Sequence, residues 1–101
     1  MSTLSTHVLD TVKGRPAADV AVELRREGAL VASMRTDDDG RARFGEVAPG
    51  SYELEFAVGA YFGEAPFLDG VPIRFTVSGE STHYHVPLLV SPWAYSTYRG
   101  S

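Results

Sequence analysis

The sequence predicts an all-β domain, a sandwich or barrel of seven or eight short strands with at most a turn or two of helix. Three observations carry this. Apolar residues recur with period two, as in Tyr52, Leu54, Phe56 and Val58 against Glu53, Glu55 and Ala57, so alternate side chains share a face. Turn-forming clusters of Gly, Pro, Asp and Ser break these runs at short intervals. The one stretch with room for a helix, residues 59–68, contains Gly59, Gly63 and Pro66, the poorest helix formers.

In chain order, the first strand is placed at residues 7–12 and ends in the turn Lys13-Gly14-Arg15-Pro16. Val20, Val22 and Leu24 alternate with Ala21, Glu23 and Arg25 to give the second. Arg26-Glu27-Gly28 is a short hairpin turn into a third strand at 30–34. Asp37-Asp38-Asp39-Gly40 and Ala48-Pro49-Gly50 bracket a brief strand near 41–44. The run from Tyr52 to Val58 follows, then Ile73, Phe75 and Val77 against Arg74, Thr76 and Ser78. After Ser78-Gly79-Glu80 comes the longest run, 82–90, closed by Ser91-Pro92, with a last short strand at 95–98. One wet and one buried face per strand is the antiparallel pattern.

Composition bounds the function. The 101 residues suit a single domain, 1–101, with a core of its own. At 44% hydrophobic and 22% charged, the chain is neither disordered, collagenous nor a coiled coil. Its apolar stretches are too short to span a membrane, and residues 1–7 lack the basic and apolar regions of a secretory signal. Without cysteine, disulfides, thiolate zinc sites and a Cys nucleophile are excluded, and a reducing, cytoplasmic compartment is favoured. A net charge of −4 and the absence of a Lys/Arg stripe argue against nucleic acid as a partner.

Three histidines stand out, His7, His83 and His85. His83 and His85 are two apart on a strand and point the same way. Such a pair could chelate zinc with His7 as third ligand and Asp10 behind it, or form a hydrogen-bonded surface pair. His7, beside Val8 and Leu9, could be structural or catalytic. Asp39-Gly40-Arg41 by itself is ordinary turn chemistry. The C-terminal residues Tyr95-Ser96-Thr97-Tyr98-Arg99-Gly100-Ser101 keep a strand pattern to the end. Since termini usually fray, this one is expected to dock in a sheet or serve a site.

These residues carry a resemblance. Tyr98-Arg99-Gly100-Ser101 is similar to the terminal tetrapeptide of the transthyretin-like 5-hydroxyisourate hydrolase family. The run from His83 through Tyr84, His85, Val86 and Pro87 to Pro92 resembles that family's penultimate strand. Leu4-Ser5-Thr6-His7-Val8-Leu9-Asp10 with Gly14-Arg15-Pro16-Ala17 resembles its first strand and turn, and Thr36-Asp37-Asp38-Asp39-Gly40-Arg41 its T-x-x-x-G-R loop. The likeness covers nearly the whole chain. It departs between Tyr61 and Ile73, where the family has a longer segment, so a shortened or remodelled helix is expected there.

The resemblance implies an eight-stranded, two-sheet, transthyretin-like antiparallel β-sandwich with one short helix, assembled as a homotetramer (a dimer of dimers) with sites between the dimers. It implies hydrolysis of 5-hydroxyisourate to 2-oxo-4-hydroxy-4-carboxy-5-ureidoimidazoline in urate degradation, without metal or cofactor. The implied catalytic set is His7, Arg41, His85 and Ser101; Tyr98, Arg99 and Gly100 shape the site with His7 and Arg41, and His83 is not in the set. The chemistry suits these residue types. Opening a cyclic amide with water needs a base, which imidazole supplies near neutral pH: His7 or His85, with His7 favoured and His85 orienting water or substrate. It also needs a cation for the developing oxyanion, here Arg41. Ser101 can donate and accept. Two other classes remain open at this point: a small-ligand carrier on the same fold, and an interaction sandwich whose histidines hold zinc.

Overall fold

The computed structural model describes residues 1–63 and 67–100. The strands are β1 (Ser2–Asp10), β2 (Arg15–Pro16), β3 (Ala21–Arg26), β4 (Ala29–Arg35), β5 (Arg41–Val47), β6 (Gly50–Ala57), β7 (Gly70–Val77), β8 (His83–Val90) and β9 (Tyr95–Thr97), with one helix, α1 (Val58–Phe62). They form two sheets, not a barrel. In one, β1 lies between β8 on one side and β5 and β2 on the other, with β9 outside β8. The other runs β4-β3-β6-β7.

The predicted alternation becomes the core. Leu4 and Val8 of β1, Val22 and Leu24 of β3, Leu54 and Phe56 of β6 and Leu88 of β8 are almost fully buried in one hydrophobic cluster between the sheets. Each such side chain contributes about 1.5–3 kcal/mol on leaving water. The opposite faces, including Glu23, Glu53 and Glu55, remain partly in solvent.

β1 differs from its predicted span. It starts at Ser2 and stops at Asp10 rather than running 7–12. Its early inward positions are Ser2, Leu4 and Thr6, and the hydroxyls blur the apolar period. They are satisfied by bonding outward along the sheet: Ser2 Oγ donates to the Ser81 carbonyl at 2.5 Å and Thr6 Oγ1 to the Val86 carbonyl at 2.6 Å. The end is set by Asp10. Its Oδ1 accepts the backbone N–H of Val12 and Lys13, and Gly14 N–H closes the turn on the Asp10 carbonyl. The strand therefore turns before Val12.

Pairing is antiparallel throughout except between β1 and β8, which run parallel with Thr3, Ser5 and His7 opposite His83, His85 and Pro87. These residues lie about 80 positions apart in the chain, and local sequence carries no sign of which way they run. α1 is five residues long and ends at Gly63, whose positive φ of 76° suits glycine. Of the predicted 59–68 segment, Glu64, Ala65 and Pro66 lie outside the described residues. The helix is held to the end of β1 by Tyr61, whose hydroxyl donates to Asp10 Oδ2 at 2.8 Å. Burial alone would raise the Asp10 carboxyl, but the Lys13 N–H, the Tyr61 hydroxyl, the Val12 N–H and the Lys13 charge outweigh it and hold it below its ordinary value. Burial, then Asp10, pushes the Tyr61 phenol up to about 12. Among the described residues, no helix is long and apolar enough to cross a membrane.

Candidate active site

Because β1 buries its even positions, its odd ones share the outer face of the sheet: Thr3, Ser5, His7 and Leu9. The same alternation puts His83 and His85 of β8 on that face, and Arg41 and Arg43 of β5 join them from the other side. His7 is directly paired with Arg41, while Ser5 faces His85 across the parallel ladder. Three residues distant in sequence, His7, Arg41 and His85, thus meet on three adjacent strands.

The Asp37–Arg41 loop fixes where β5 begins. Asp37 Oδ1 accepts the N–H of Asp39 and Arg41 at 2.9 and 3.0 Å, and the Asp37 N–H bonds the Arg41 carbonyl. These N–H bonds, Arg41's foremost, hold the Asp37 carboxyl below its ordinary value. Gly40 has a φ of 77°, and a Cβ there would lie 2.5 Å from the Val8 carbonyl oxygen. Its own carbonyl accepts the Val8 N–H at 2.7 Å. The loop is therefore sealed against β1, one residue from His7. Thr36, buried beneath it, donates to the Ala17 carbonyl and accepts the Val20 N–H.

A cleft of about 420 Å³ opens on this face, walled by Ser5, Arg41, Arg43, His83 and His85 among others. His7 flanks it between Arg41 and Pro87, and its Nε2 is buried with no hydrogen-bond partner among the described residues. His85 is half-buried, and burial, followed by the charges of His83, His7 and Arg41, holds its imidazole below the ordinary value of 6.5. Above that pH it is neutral and can accept a proton.

The C-terminal residues divide. Gly100 bridges to β8, its N–H bonding the His85 carbonyl at 2.8 Å. A Cβ there would meet His85 Cδ2 at 2.5 Å, so only glycine lets the chain lie against that ring. Tyr98 and Arg99 line a second cavity of about 270 Å³ that His85 also borders, and the Arg99 guanidinium lies over the Tyr84 ring at 4.5 Å. Ser101, the fourth expected catalytic residue, lies outside the described residues.

His83 and His85 lie near-parallel, ring centroids 6.3 Å apart, and both bond Ser5. No three ligand-type side chains converge as a metal site among the described residues. Asp10 faces the core, opposite the histidines, so it does not back them as a zinc site would need. Sequence reading did not single out Ser5, Thr3 and Arg43, which line this cleft. Their even spacing, two residues from His7 for Ser5, four for Thr3, and two from Arg41 for Arg43, was the available signal, masked by how common Ser, Thr and Arg are on wet strand faces.

The HIUase/Transthyretin family model matches residues 4–100, and the chain belongs to this family. It is 53% identical to a 5-hydroxyisourate hydrolase of Caulobacter vibrioides, with all of both chains covered. That alignment runs over 115 positions, so it opens gaps in this shorter chain. Among solved structures, the fold is similar to a 5-hydroxyisourate hydrolase of Klebsiella pneumoniae, with a TM-score of 0.92, 39% identity and full coverage of both chains. It is also similar to sea bream transthyretin in complex with thyroxine, with a TM-score of 0.87, 31% identity, and 96% and 93% of the two chains covered.

Proposed function

We propose that this protein hydrolyses 5-hydroxyisourate, adding water across a cyclic amide of the substrate to give 2-oxo-4-hydroxy-4-carboxy-5-ureidoimidazoline. The observation that carries this reading is the convergence of His7, Arg41 and His85 on one sheet face, in a chain 53% identical to a hydrolase of that name. The guanidinium of Arg41 binds the substrate's carbonyl oxygens through its planar fork of donors and stabilises the oxyanion as water attacks. A neutral imidazole takes the water proton. His85 suits this role: it is held uncharged at neutral pH and its Nδ1 is engaged by Ser5, which leaves Nε2 free. His7, with an unpartnered Nε2, orients substrate or water from the opposite flank. The water oxygen bonds to the carbonyl carbon, the carbon–nitrogen bond breaks, and the departing nitrogen takes a proton. Gly100 fixes the edge of the His85 ring, Tyr98 and Arg99 bound the site, and Ser101 completes it as donor and acceptor.

The reading includes a cytoplasmic, single-domain protein that assembles as a homotetramer, a dimer of dimers. The site lies on an open sheet face, and Trp93, Tyr95 and Tyr98 stand exposed at its β9 margin; aromatic side chains of this kind anchor interfaces. A second reading, a small-ligand carrier, is favoured by the likeness to thyroxine-bound transthyretin. One assay separates them. Fresh 5-hydroxyisourate, made in place from urate by urate oxidase, is followed by its absorbance: a hydrolase accelerates its decay in proportion to protein concentration, whereas a carrier leaves the spontaneous rate unchanged.

A further inference from the structure

Four side chains on the site face form a continuous hydrogen-bonded row. Ser5 Oγ lies 2.8 Å from His85 Nδ1 and 3.1 Å from His83 Nε2. His83 Nδ1 lies 2.5 Å from Thr3 Oγ1, which is 3.3 Å from the Thr82 carbonyl. A hydroxyl has one proton, so Ser5 donates to one imidazole and accepts from the other. Where Thr3 donates to the Thr82 carbonyl, which can only accept, the row has one polarity: His85 Nδ1–H donates to Ser5, Ser5 to His83 Nε2, His83 Nδ1–H to Thr3, and Thr3 to Thr82. Every proton then has an acceptor, and His85 is left with a bare Nε2.

We propose that Ser5 is a positioning residue that sets the His85 tautomer and couples His85 to His83, so that positive charge formed during turnover resides on His83 at the surface. The inference rests on the hydrolase reading. When water attacks, His85 Nε2 takes its proton; His85 Nδ1–H passes to Ser5 Oγ, and the Ser5 proton passes to His83 Nε2. His83 is then an imidazolium in solvent, where it is exposed. When the ring nitrogen departs it takes the proton from His85 Nε2, and the His83 proton returns through Ser5 to His85 Nδ1. No proton is gained or lost by the row. The device has a physical purpose. His85 is half-buried and feels the charges of His83 beside it on β8, His7 from β1 and Arg41 from β5, so a cation held there would be repelled and poorly hydrated.

The test has a structural and a kinetic arm. Long-range proton–nitrogen correlation on nitrogen-15-labelled protein, at a pH where both rings are neutral, reads the His85 tautomer without substrate. Nδ1–H is expected in the native chain, with Nε2–H gaining in Ser5→Ala and Nδ1–H restored in Ser5→Thr. In turnover, Ser5→Ala and His83→Phe should each lower kcat about tenfold with KM within about twofold, and the double variant should be no slower than the slower single one. Added imidazole should restore part of the His83→Phe rate by taking up the proton at Ser5. An unchanged His85 tautomer in Ser5→Ala, or losses that multiply in the double variant, would overturn the proposal. The native rate on 5-hydroxyisourate tests the hydrolase reading separately.

Discussion

Replacing His7, Arg41 or His85 by alanine should each lower the hydrolysis rate by at least about 10²-fold, the scale of losing an acid–base group or an oxyanion donor. His83→Ala should cost far less, because His83 would hold a proton only in transit. If His83 proved the essential histidine and His85 dispensable, the assignment of the two rings would be reversed. The pH dependence follows from the environment of His85. Burial, then the charges of His83, His7 and Arg41, lower its pKa. It must be neutral to act as base, so kcat/KM should rise with pH along an acid limb whose midpoint lies below the ordinary 6.5. A midpoint at or above that value would remove His85 as the base. At this scale, the histidines were legible because the chain has only three, and Arg41, one of eight arginines, only because the resemblance singled out its loop. Ser5 was not, because a serine on a wet strand face is unremarkable until the strand beside it is known.

Single elements place these residues. Gly40 lets the Asp37–Arg41 loop close on Val8, and its positive φ and the 2.5 Å approach of a Cβ to the Val8 carbonyl leave no space for alanine. Gly40→Ala should destabilise the fold by about 2 kcal/mol or more and lower activity further by moving Arg41 away from His7; thermal melts and rates together check this. At the far end of β1, the bond from Tyr61 to Asp10 holds α1 down. Tyr61→Phe should cost about 1.5–3 kcal/mol, as for other hydrogen bonds to a charged group. The sign of its pH dependence is determined. The folded Asp10 pKa lies below the unfolded value of 3.8, so the folded state binds fewer protons and the stabilisation is fully present above that pH. It is lost as pH falls through the folded pKa. Denaturant melts of native and Tyr61→Phe protein should therefore converge in strong acid and diverge at neutrality.

For the molecule as a whole, the C-terminal segment joins fold to site. Gly100 pairs with His85 and packs against its ring, which brings the end of the described chain beside the proposed site. A tag fused after Ser101 should depress activity strongly, whereas one before Met1 should be milder. Deleting residues 98–101 should abolish turnover and weaken the proposed tetramer, read as a fall from four chain masses in size-exclusion chromatography with light scattering. Full activity in the truncated chain would reduce this segment to an edge strand without a role in the reaction.

The sequence by itself determined the all-β class, the inward faces of most strands and the brevity of the helix, because period-two burial and turn chemistry are local. It also marked His7, Arg41 and His85, because the resemblance rests on motifs confined to short runs. Tertiary structure decided what depends on distant pairing. The parallel alignment of β1 with β8 puts Ser5 opposite His85 and Thr3 opposite His83, and the bridge from Gly100 packs the chain against His85. Local pattern gives each strand its faces; only the register between strands so far apart in the chain brings two imidazoles, a guanidinium and a hydroxyl onto one patch.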